Sequence, residues 1–209
     1  MFKVFFLIFE PAGTWDRLVQ RRRSIGFILA TYLIPTLLLL AGVEGWGLIS
    51  MGKWQPAFQK FREFPANEVV IFEIIQFFLT LGTVYAVAIL FRKVNGTFRQ
   101  DPSLVPAFTA AAYGLSPLFL FRLLDAIPTV NPWIPWLVGV LVSVWILYQG
   151  LPRAMIPDPV HAFGLYLSCI MVVILMTGVG RLFTALYLLG DVDFHHSSIL
   201  NSFSRLHTK

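Results

Sequence analysis

The residues that could do chemistry in this chain are polar and charged side chains set inside apolar runs. Glu73, Gln76, Thr80 and Thr83 recur at spacings of three and four, so a helix would carry them on one face. Arg122 and Asp125 are three apart, and Thr177, Arg181 and Thr184 form another such face. A mid-bilayer Arg or Glu costs about 2.5 to 3.5 kcal/mol even on permissive scales, so these groups are expected to face a bundle interior and to pair. Two roles are open to such a set: a structural network that fixes helix register, or a path for an ion or substrate.

Other chemistry finds little support. There is no Gly-x-Ser-x-Gly, His-Glu-x-x-His, phosphate-cradling Gly loop or paired-cysteine motif. Serines inside the runs, Ser116, Ser143 and Ser168, have no histidine at similar depth on a neighbouring run. No enzyme is expected. Asp191, Asp193, His195 and His196 are of metal-ligand type, but such alternation is ordinary for a solvated polar tail. Neither a metal site nor a cofactor is expected. Cys169 falls inside an apolar run and reads as a small buried hydrophobe.

The elements that must position these groups follow from composition. The 209 residues are 57% hydrophobic and 13% charged, against about 25% charged in soluble domains. Several uncharged runs reach membrane-spanning length. Five spans are expected, near 24–45, 68–91, 104–126, 133–151 and 160–189. The fold expected is an all-α integral membrane protein, a five-helix transmembrane bundle with a short amphipathic interfacial helix at its N-terminus. The chain divides into an interfacial segment (1–23), the membrane domain (24–189) and a polar tail (190–209).

Each boundary has a local cause. The apolar start ends at Glu10-Pro11, too short to span, and Phe2, Phe5, Phe6 and Phe9 have helical spacing. Thr14 is expected to cap a second short helix in the interface. Trp15, Arg21, Arg22 and Arg23 are expected to meet lipid head groups; the alternative is an arm docked on a partner. Pro35 and Pro117 can kink the first and third spans. Residues 46–67 read as a short surface helix. In the third span Ala110 and Gly114 sit four apart, a spacing that lets helices approach closely. With Pro117 and Gly150 they are the expected packing positions, and the third span is expected to be central. Ala110→Leu or Gly114→Leu should weaken the bundle.

Charge sets orientation. Lys3, Arg17, Arg21, Arg22, Arg23, Arg92, Lys93, Arg99 and Arg153 fall on one side. Lys53, Lys60, Arg62, Arg205 and Lys209 fall on the other. The positive-inside rule then puts the N-terminus in the cytoplasm and the C-terminus outside. The formal charge of +5 is spread beside the spans. It points to anionic lipid at the cytoplasmic face and not to nucleic acid.

By helix rise, Glu73 lies about 7 to 8 Å below the outer surface, Arg122 at a similar depth, Asp125 shallower, and Arg181 about 12 Å in. Glu73 is therefore expected to pair with Arg122 or Arg181, with Asp125 holding the remaining Arg. Glu73→Gln should then destabilise more than Gln76→Leu, by stranding a cation.

Three stretches carry a family resemblance: Glu10-Pro11-Ala12-Gly13-Thr14-Trp15, Ala111-Ala112-Tyr113-Gly114-Leu115-Ser116-Pro117, and Tyr148-Gln149-Gly150-Leu151-Pro152. Together with five spans and Tyr166 early in the fifth, the chain resembles the Yip1 family, most closely its short bacterial members. The resemblance implies a five-span protein of the bacterial cytoplasmic (inner) membrane, acting as a non-catalytic organiser or partner-binding scaffold. Its partners would be the bilayer, other membrane proteins or a second copy of itself. Eukaryotic members have a long hydrophilic N-terminal region and are associated with Rab GTPases. With about two dozen residues before the first span, Rab binding does not carry over to this chain. The competing function is a small transporter or channel using Glu73, Arg122 and Arg181. A continuous polar cavity would favour transport, and a sealed bundle the organiser.

Overall fold

A computed structural model describes residues 7, 10–21, 23–55, 59–98, 103–155 and 160–189. Five helices are long and apolar enough to cross a membrane, and a shorter one precedes them. We label them α1 (Pro11–Gln20), α2 (Ile25–Met51), α3 (Ala66–Phe98), α4 (Leu104–Ala126), α5 (Trp133–Met155) and α6 (Ala162–Leu189). Two three-residue strands, β1 (Lys53–Gln55) and β2 (Lys60–Arg62), form an antiparallel hairpin between α2 and α3.

The helix α4 is the centre. Buried positions make up 67% of its membrane-length window, against 22% to 44% in the other four. Ala107, Ala110, Ala111 and Ala112 are all buried. A Cβ at Gly114 would overlap the Leu147 side chain of α5, and one at Gly139 of α5 would come 2.9 Å from the Leu118 Cα. Side-chain-free surface is thus what lets α4 and α5 close on each other. At the other end, a Cβ on Gly47 of α2 would stand 2.6 Å from that of Ala126.

Both expected proline distortions are present, and they meet. Leu29–Leu33 of α2 form a π-helical turn just before Pro35. Pro35 has no N–H and its ring crowds the carbonyl four residues back; a wide turn relieves both problems. In α4 the helix breaks at Leu115, ahead of Pro117. At this level the Tyr32 and Tyr113 rings stack with centroids 4.5 Å apart. The Tyr32 and Ser116 hydroxyls share a hydrogen bond. The two distorted helices are thus joined by a polar contact at the level of their breaks, where apolar surroundings favour internal pairing of polar groups.

Three expectations need correction. The stretch after residue 45 does not become a surface helix: α2 runs on to Met51, because Trp46, Leu48, Ile49 and Met51 keep it apolar. It stops at Gly52, whose φ of +65° favours glycine, and a Cβ there would lie 2.6 Å from the Arg62 carbonyl oxygen. The hairpin follows. Second, Thr14 does not cap α1, which begins at Pro11; Pro is favoured in a first turn because it has no N–H to leave unpaired. Third, Trp15 does not reach head groups. It is fully buried, and its indole Nε1 donates to the Ile146 carbonyl oxygen at 3.1 Å. Its ring fills the space over Gly150, where a Cβ would overlap it. A salt bridge from Arg153 to Asp16, 3.1 Å long, adds to this seat. The helix α1 is therefore docked on α5. Of the arginines after it, Arg21 is exposed and Arg23 lies over the Phe27 ring. Arg22 lies outside the described residues, as do Phe2, Phe5, Phe6 and Phe9.

Candidate functional site: a buried charge cluster at one end of the bundle

The helices alternate in direction. The end of α2, the start of α3, the end of α4, the start of α5 and the end of α6 therefore share one end with the hairpin. There the polar groups of five elements converge.

Arg122 of α4 stands between two carboxylates. Its Nη2 donates to Glu73 Oε2 at 2.9 Å, and its Nε is 2.6 Å from Glu44 Oε2. The Glu44 contact is one of charge, because the Nε–H does not point along it. Glu44 is 1% exposed, on α2. Arg181 of α6 grips Asp125 with both terminal nitrogens, at 2.6 and 2.7 Å, the planar fork-to-fork arrangement that gives such pairs their directionality. Its Nε also donates to the Pro132 carbonyl oxygen at 2.9 Å, in the turn between α4 and α5. Asp125 is completely buried.

The hairpin contributes a third cation. Lys53, 1% exposed, donates from Nζ to the Asp125 carbonyl oxygen at 2.6 Å and to that of Ile127 at 3.3 Å. The Trp54 N–H adds a bond to the Pro128 carbonyl oxygen at 3.2 Å. Burial pushes the Lys53 ammonium below the usual lysine range, against the pull of the Asp125 and Glu44 carboxylates. Three carboxylates (Glu44, Glu73, Asp125) thus face three cations (Arg122, Arg181, Lys53). A small apolar cluster of Leu48, Phe64, Val69, Phe72, Tyr187 and Leu188 lies beside them, with the Phe72 and Tyr187 rings stacked at 4.6 Å.

One turn further in, Gln76 donates from its amide to the Thr184 hydroxyl. Trp136 Nε1 donates to the Thr177 hydroxyl at 3.2 Å. These groups, with Thr80, Thr83, Arg122 and Arg181, line a cavity of about 90 Å³ between α3, α4, α5 and α6. It has room for more than one water.

The structure brings Glu73, Gln76, Arg122, Asp125 and Arg181 together. It also adds Glu44 and Lys53, which the sequence reading missed. Glu44 alters one expectation. Glu73→Gln would not strand the Arg122 cation, because Glu44 remains beside it. Of the packing positions, Ala110 and Pro117 are buried, and Gly114 and Gly150 lie under Leu147 and Trp15. Asp191, Asp193, His195 and His196 lie outside the described residues.

Among known proteins, the family model described as the Yip1 domain matches residues 5–180. No curated protein and no solved structure matches the chain.

Proposed function

Since this chain belongs to the Yip1 domain family, we propose that it is a non-catalytic membrane organiser, a five-span scaffold that binds partner proteins and lipid. The observation that carries this reading is how the intramembrane charges are spent. Glu44, Glu73, Arg122, Asp125 and Arg181 engage one another across four helices. Pairing of this kind lowers the cost of holding the charges within the membrane and suits a structural network. Used this way, the cluster locks helix register at one end, while α1 seated on α5 offers a surface at the other.

The orientation we propose puts the N-terminus in the cytoplasm, in a bacterial inner membrane. Arg17, Arg21, Arg23, Arg92, Lys93 and Arg153 flank the α1 end, where basic residues are favoured by the positive-inside rule and by anionic lipid. At the opposite end, Lys53 is occupied within the cluster and Arg62 pairs with Glu68 at 3.2 Å.

The test is purification in lipid nanodiscs cut from native membrane, with bound proteins and lipids identified, beside reconstitution in sealed liposomes. The expected outcome is a reproducible membrane-protein partner that is lost on Trp15→Ala, and no solute flux above empty liposomes. Flux that disappears on Arg122→Gln would overturn the reading in favour of transport.

A further inference from the structure

The two carboxylates at Arg122 outnumber the charge between them. Glu44 Oε2 and Glu73 Oε2 approach Nε and Nη2 of one guanidinium, at 2.6 and 2.9 Å. One cation therefore serves two buried acids. Neither acid is otherwise satisfied: among the described residues, Glu44 Oε1 and Glu73 Oε1 are both buried without a hydrogen-bond partner. The other cations of the cluster act on the pair from further off, Lys53 through its attraction to Glu44. Arg181 is held in both arms by Asp125, and Lys53 is directed at backbone carbonyls of the α4–α5 turn. Gln76, next on the Glu73 face, donates to Thr184. Like charges this close in an apolar setting cannot both persist at little cost, and the usual resolution is that two such carboxylates hold one proton. Arg122 also lines the cavity between α3 and α6, which has room for water to carry that proton.

We propose that Glu44 and Glu73 form a proton-binding site, holding one proton between them over the shared Arg122 guanidinium. The ligand is a proton alone; the step is reversible transfer from water to a carboxylate oxygen, with no other bond changed. The site couples α2, α3 and α4 to pH. It stands apart from the scaffold reading, since binding a proton requires neither a partner nor transport.

The sign of the effect follows from linkage. A carboxyl group that keeps its proton in the fold binds more protons there than in the unfolded chain. The stability this gives is present at low pH and is lost as pH rises and the proton leaves. Lys53, lowered by burial, contributes the opposite slope, but equally in native protein and a Glu44 variant. The difference between the two isolates the pair.

The experiment uses the full chain in lipid nanodiscs across about pH 5 to 9. Infrared spectra of native protein should show the C=O stretch of a protonated carboxyl group, shifting in deuterated water and absent from both Glu44→Gln and Glu73→Gln. The thermal midpoint of Glu44→Gln should gain on the native one as pH rises, because the amide has no proton to lose. No such band in native protein, a band that survives in both variants, or a midpoint difference that stays constant with pH would each overturn the proposal. Should one variant fail to fold, the other assigns the band, and its absence from native protein overturns the proposal in any case.

Discussion

At the scale of single residues, Asp125 and Arg181 should dominate. Each is buried and each has the other as its main charge partner. Removing one partner of such a pair leaves an uncompensated ion, whereas removing both together leaves none. Asp125→Ala should therefore cost about 3 to 5 kcal/mol. Asp125→Leu combined with Arg181→Met should recover most of that loss; unfolding in detergent, read as a double-mutant cycle, checks it. Four of these charges are visible in the sequence because a lone ion in an apolar run is conspicuous. Glu44 is less so: with a first span ending at Gly45, it counts as an interfacial residue. The apolar Trp46-Gly47-Leu48-Ile49 is the available signal that α2 continues and carries Glu44 about two turns inside. Lys53 cannot be found that way, since its seat is made of backbone carbonyls at Asp125 and Ile127.

At the scale of elements, the bundle depends on glycines that admit a neighbour. Gly150→Ala should unseat α1, because the added methyl enters the space of the Trp15 ring. Hydrogen exchange should rise in Pro11–Gln20 while α4 stays protected, and Trp15→Phe, which loses the bond to Ile146, should cost about 1 kcal/mol through that bond. Gly114→Ala should cost about 1 to 3 kcal/mol by overpacking against Leu147. Leu147→Ala in the same chain should return part of the loss, measured by thermal unfolding. The five spans can be read directly from run length, and the central place of α4 from its small residues. The hairpin cannot: each strand has three residues, and its order comes from Lys53 and Trp54 bonding to a distant turn. The docking of α1 is also hidden, because a Trp beside basic residues fits an interface as well as it fits a groove over Gly150.

At the scale of the whole molecule, replacing Arg21, Arg22 and Arg23 with Gln should lower the fraction of chains inserted with the N-terminus inside. Cysteine labelling from either side of the membrane would show it, and an unchanged orientation would count against the assignment. The cluster also has a history written into the order in which its parts are synthesised. Glu44 and Glu73 leave the ribosome before Arg122, so Arg122 enters the bilayer with both partners waiting. Asp125 enters before Arg181, which comes 56 residues later on the last span. Until α6 arrives, α4 carries an unmatched acid whose insertion costs up to about 3 kcal/mol. A chain cut after Met155 should therefore hold α4 poorly in the membrane, and Asp125→Asn should restore it. Insertion of α4 thus becomes final only when α6 is made, and a nascent chain that stalls before Arg181 exposes its own incompleteness.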